Sequence, residues 1–117
     1  MRLNEIVYNG SLPIDGYGQG FFRIGGQVVQ GACLVLPTGV AAWDGFSDYQ
    51  SLIAAKDQID VVFVGTGAEI AHIPSDFRAA LETAGLGVET MASPAACRTY
   101  NVLLSEGRRV GLALLPV

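Results

Sequence analysis

Two apolar runs, and the helix signals between and after them, constrain this chain most. VVFVG (61–65) is a continuous β-branched and aromatic stretch, the pattern of a strand covered on both faces. Pro74-Ser75-Asp76 opens a helix with Phe77, Ala80, Leu81 and Ala84 on one face, and Gly85 stands where a C-cap glycine stops it. GVETM (87–91) reads as the next strand. Ser93-Pro94 supplies an N-cap and a first-position proline for a helix over 94–106, which Gly107 ends, and VGLALLP (110–116) makes a final strand. Strand–helix–strand–helix–strand calls for an α/β layer with mostly parallel strands. The strands near 61–65 and 110–115 are expected to be neighbours in it.

The preceding residues read differently. FFRIGGQVVQG places apolar segments on either side of Gly25-Gly26, a dipeptide that tolerates the positive φ of a tight hairpin. ACLVLP and VAAW flank a second turn at Pro37-Thr38-Gly39. A small antiparallel sheet is expected there. Ser47-Asp48-Tyr49-Gln50 has the form of a capping box and predicts a short helix from Ser47 to about Lys56. Trp43 reads as a core residue.

At 117 residues the chain fits one domain over 1–117. Half of the residues are hydrophobic and only 15% are charged, which excludes intrinsic disorder. A net charge of −4, with no lysine runs, argues against nucleic acid as a partner. Six of the seven cationic residues are arginine, and Arg98, Arg108 and Arg109 cluster near the C-terminus. Cys33 and Cys97, far apart, read as reduced and structural. MRLNEIVYNG has neither an apolar signal-peptide core nor the look of a transit peptide, and no apolar run approaches the roughly 20 residues that span a bilayer. The expected location is the cytoplasm.

VFVGTG (62–67), followed by MASPAACRTYNVLLSEGRRVGLALLP (91–116), carries a more specific signal. With Arg-Thr-Tyr-Asn and Glu-Gly-Arg-Arg in order after Gly-Thr-Gly, the chain closely resembles a family of small α/β domains. That family includes the mitochondrial complex I assembly factor 3 and the adipogenesis-associated Mth-type domain proteins, and this chain reads as a bacterial member. The resemblance implies a three-layer single domain, with a mixed central sheet, flanking helices and a smaller N-terminal antiparallel sheet. It also implies a protein partner, with respiratory-complex assembly components as the candidates. Ala92-Ser93 stands where relatives often carry Asp-Thr, so no role of an acidic side chain at that point carries over.

The residues themselves offer one candidate site. Gly65-Thr66-Gly67 follows a buried-looking strand, at the end where α/β folds place ligands. As a nucleotide fingerprint it fails: Ile70 stands at the third glycine position, and there is no P-loop lysine. Ser93 at the following helix start, with Arg98, Thr99 and Asn101 in its early turns, could complete a small anion pocket against Gly65, Thr66 and Gly67. The alternative, and the preferred one, is that these polar groups are structural ties, with Arg98 paired to a carboxylate or to carbonyls inside the fold. Arg108 and Arg109 form a candidate partner-docking patch.

No catalytic set emerges. Cys97 and the single His72 are not brought together by any spacing, and one histidine without nearby ligands gives no metal site. No cofactor is called for. The sequence therefore points to a non-enzymatic binding or assembly module, the alternative being a protein or enzyme that takes a small anionic ligand in the region of Gly65, Gly67 and Arg98. Its oligomeric state is not legible.

Overall fold

The computed structural model describes residues 11–117, so the reading of the segment before Ser11 as free of a targeting sequence lies outside the described residues. Among the described residues, eight strands and three helices follow in the order β1 (Ile14–Gly18), β2 (Phe21–Ile24), β3 (Gln27–Gln30), β4 (Cys33–Leu36), β5 (Gly39–Ala42), α1 (Gln50–Ile53), β6 (Val61–Thr66), α2 (Ser75–Thr83), β7 (Gly87–Met91), α3 (Ser93–Ser105) and β8 (Val110–Leu115). Strands β1, β2 and β3 make a three-stranded antiparallel sheet. The other five form a mixed sheet in the order β5-β4-β8-β6-β7. Its β8, β6 and β7 are parallel, and β4 and β5 join antiparallel at the β8 side. Strands 61–65 and 110–115 are neighbours, as expected, and run parallel.

The hairpin between β2 and β3 turns at Gly25 and Gly26, whose φ values of 56° and 85° only glycine adopts without strain. Both longer helices stop at the expected glycines, Gly85 (φ 94°) and Gly107 (φ 81°). Helix α1 departs from expectation. It begins at Gln50 rather than Ser47, without a side-chain cap from Tyr49, and it ends at Ile53. Asp48 takes the capping role expected of Ser47: its carboxylate accepts from the Ser51 N–H at 3.1 Å and from the Ser51 hydroxyl at 2.9 Å. A carboxylate two residues before the helix reaches that donor better than a serine three before it.

The mixed sheet lies at the centre of three layers, and its strand alternation sorts the core. Leu34, Leu36, Val62, Val64 and Ala113 face α1 and α2, against Leu52, Phe77 and Leu81. Cys33, Val35, Phe63, Leu112 and Leu114 face the opposite side, against α3 and the small sheet, which contributes Ile14, Phe22 and Ile24. Coverage on both faces is why β6 and β8 read as unbroken apolar runs. Trp43 is a core residue, 4% exposed. Its ring packs with Phe46 and Phe77, and its indole N–H donates to the Asp48 carbonyl at 2.9 Å. α2 and α3 therefore sit on opposite faces of the sheet, and the ends of β6, β7 and β8 meet the start of α3 where the chain passes between layers.

Candidate functional site

Gly65, Thr66, Gly67 and Ser93 are brought together at the C-terminal end of β6. Ser93 is completely buried, and it is the first residue of α3 rather than its cap, a position taken by Ala92 in extended conformation. Its hydroxyl turns away from the helix: it accepts from the Gly67 N–H at 2.9 Å and donates to the Leu115 carbonyl at 2.6 Å. The Ser93 N–H in turn donates to the Gly67 carbonyl at 2.7 Å. One of the helix's orphan donors is thereby satisfied by the β6 loop.

The approach is close enough to need a glycine. A Cβ on Gly65 would stand 2.6 Å from the Ser93 hydroxyl, 2.8 Å from the Ser93 Cα and 2.8 Å from a Leu114 methyl. At Gly65, the space toward the start of α3 is thus taken by Ser93 itself and by Leu114. Thr66 is similarly engaged. Its hydroxyl lies 2.8 Å from the Glu69 carbonyl and 3.2 Å from that of Met91, and accepts from the Ala71 N–H at 3.0 Å.

The remaining residues of the group part company along α3. Asn101 faces the small sheet, where its Oδ1 accepts from the Ile14 N–H at 2.9 Å and its Nδ2 donates to the Ile14 carbonyl at 2.7 Å. Tyr100, which sequence reasoning did not single out, is fully buried beside it and donates its hydroxyl proton to the Leu12 carbonyl at 2.8 Å. Burial pushes that phenol well above its ordinary pKa. Thr99 donates to the Met91 sulfur at 3.5 Å. Arg98 is exposed and has neither ion pair nor hydrogen bond among the described residues. The tie expected of Arg98 is made instead by Tyr100 and Asn101, because the buried side of α3 runs through Ser93, Ala96, Cys97 and Tyr100 and turns residue 98 outward.

Arg108 and Arg109 are both exposed at the far end of α3, and they line a cavity of about 330 Å³ together with Leu104, Val110, Pro37 and Gln58. Arg109 makes a surface ion pair with Asp60 at 3.3 Å, a contact worth little in stability. The cysteines are free and buried in the layer between α3 and the central sheet. Desolvation pushes Cys33 up to about 11, and desolvation and then the neighbouring Cys33 push Cys97 up to about 12. Neither thiol is a nucleophile near neutral pH. His72 is exposed on the loop after β6, with Ile70, Ile73, Arg78 and Thr90 around a cavity of about 320 Å³. Among the described residues no cluster of three or more metal-ligating side chains occurs.

A three-layer α/β domain whose β6 turn and α3 start are locked to each other by hydrogen bonds is the class this arrangement defines. The chain belongs to the family described as "Protein of unknown function (DUF498/DUF598)", whose model matches residues 14–115. It is 50% identical over 117 residues to an uncharacterized protein of Rhodobacter capsulatus, covering all of this chain and 94% of that one. It is 36% identical to human NADH dehydrogenase [ubiquinone] 1 alpha subcomplex assembly factor 3, over 91% of this chain but only 61% of the human protein. The chain thus spans about three fifths of the length of such assembly factors. Among solved structures, a Bartonella henselae protein described as an outer membrane protein superposes with a TM-score of 0.86 at 34% identity, over 95% of this chain and 99% of that one. A Bordetella pertussis protein described as a Mth938-like domain gives 0.75 at 27%, over 99% and 91%. No helix among the described residues is long and apolar enough to cross a membrane.

Proposed function

We propose that the chain is a non-catalytic binding module that acts on partner proteins during the assembly of a respiratory complex. One observation carries the reading: the polar groups at the sheet's C-terminal end, where an α/β enzyme would hold its substrate, are spent on internal hydrogen bonds. Ser93 and Thr66 each bond backbone groups of the chain itself. Arg108 and Arg109, the latter in a surface ion pair with Asp60, line one groove with the apolar Leu104 and Val110. Planar guanidinium groups over an apolar floor suit a partner segment that carries a carboxylate next to an apolar side chain. The name of the human relative supports the assembly role. The location that goes with it is the cytoplasm.

Affinity capture of the tagged chain from its native host, with mass spectrometry of retained proteins and metabolites, tests the reading. Assembly components of a respiratory complex should be retained by the wild type and lost with the double substitution Arg108→Glu, Arg109→Glu. Stoichiometric retention of a small anionic metabolite, with no such protein, would replace the binding-module reading with the ligand-binding one.

A further inference from the structure

Helix α3 has a second side that neither the core nor the groove at Arg108 uses. Its inner side, Ser93, Ala96, Cys97 and Tyr100, is buried. On its outer side Arg98, Val102 and Glu106 follow one another at four-residue spacing and so share one row. All three are exposed, Val102 to 55%. Arg98 is the single charged residue of the 13 in this helix, with Glu106 at its C-cap. The outward side of a surface helix is ordinarily rich in charge, and a helix so poor in it is ordinarily covered. Beside the row opens a cavity of about 270 Å³ lined by Arg98, Thr99, Val102 and Leu103.

We infer that this row is a contact between two copies of the chain, with α3 packing antiparallel on α3 about a two-fold axis at Val102. The order of charge along the row selects that occupant. Read from the N-terminal end it is cation, apolar, anion. An identical helix laid antiparallel sets Val102 on Val102 and brings each Arg98 opposite the other copy's Glu106. Parallel pairing would set Arg98 on Arg98. A uniformly acidic segment would meet Arg98 but be repelled by Glu106, and a basic one the reverse. Self-complementarity of this kind is the signature of an isologous two-fold contact, the commonest symmetry of homodimers. Four residues rise about 6 Å along a helix, and packed helices lie about 8–10 Å apart, so the two charges are within reach of each other.

The area sets the strength. A helix of 13 residues is about 20 Å long. One such face falls short of the roughly 800 Å² per partner of a stable complex, so the dimer is a weak one that forms with concentration. Val102 supplies its apolar centre, and the two Arg98–Glu106 pairs supply orientation rather than much energy.

Sedimentation velocity of the intact chain between about 1 µM and about 1 mM, the span in which contacts of this size exchange, tests the inference. The wild type should pass from monomer toward dimer across that range. Arg98→Glu and Glu106→Arg should each weaken self-association by about tenfold or more, since each places like charges opposite one another twice. Mixing the two single variants should restore the dimer. The carboxylate introduced at position 98 of one copy then meets the guanidinium introduced at position 106 of the other, and the remaining pair keeps its native charges. The double variant should self-associate like the wild type. A wild type that stays monomeric at about 1 mM, or single variants that dimerise undiminished, would overturn the inference. Val102→Asp, read at the same concentrations, should abolish the dimer, and its persistence would likewise overturn it. All three positions are exposed, so the variants should keep the wild-type fold, which far-ultraviolet circular dichroism checks.

Discussion

Ser93 and Gly67 exchange two hydrogen bonds, hydroxyl from amide at 2.9 Å and amide to carbonyl at 2.7 Å, and this reciprocal pair joins the end of β6 to the start of α3. The Ser93 hydroxyl proton then goes to the Leu115 carbonyl on β8, so one buried hydroxyl holds three elements of the fold together.

Removing that hydroxyl leaves the buried Gly67 N–H and the part-buried Leu115 carbonyl short of a partner. Ser93→Ala should cost about 1–3 kcal/mol, the range for a buried group left unsatisfied. Gly65→Ala should also destabilise, since its Cβ would meet the backbone of Ser93 at 2.8 Å and the helix would have to shift. Urea unfolding measures both. A midpoint unchanged in Ser93→Ala would mean that the hydroxyl contributes nothing there.

A second pair of substitutions separates the two sides of α3. Asn101→Ala breaks both bonds to Ile14, residues 87 positions apart in sequence. It should cost about 1–3 kcal/mol and raise amide exchange in β1 before the rest of the molecule. Arg98→Ala should fall within about 0.5 kcal/mol of the wild type, as an exposed change away from any network does. Equal losses in the two variants would contradict the assignment of the tie to Asn101.

The thiols give a dependence on pH. Cys33 and Cys97 hold their protons up to about 11 and about 12 in the folded chain, against 9.0 for the unperturbed thiol. Between those values the folded state binds more protons than the unfolded one. Stability is therefore complete below about pH 9 and falls as pH rises toward 11 and 12. Thermal unfolding followed from pH 7 upward should show the decline, and Cys33→Ala should make it shallower. At pH 8 neither thiol should react with a small alkylating reagent until the protein unfolds.

The fold was largely legible because its signals are local. Apolar runs at 61–65 and 110–115, and glycines at 85 and 107, act through nearest neighbours in sequence, and the structure uses each as expected. Side-chain roles were less so. A serine before a proline at a helix start favours capping, and nothing local reveals that Gly67 lies against it. Asp48 displaced Ser47 as a cap for the same reason, since the choice depends on where the backbone turns. Arg98 is different. The spacing of Ser93, Ala96, Cys97 and Tyr100 defines the buried side of α3, and reading that stripe alone already turns residue 98 to solvent.

The most direct test of the binding-module reading is the amount of assembled NADH dehydrogenase complex in membranes of the native host lacking this chain, resolved on native gels. The expected result is a marked loss of the full complex, restored by the wild-type chain and by Ser105→Ala, a change at an exposed position outside the groove. The Arg108→Glu, Arg109→Glu chain should not restore it although it accumulates normally. Full assembly in the absence of the chain, or full rescue by the doubly substituted one, would contradict the claim that the chain acts on assembly partners through Arg108 and Arg109.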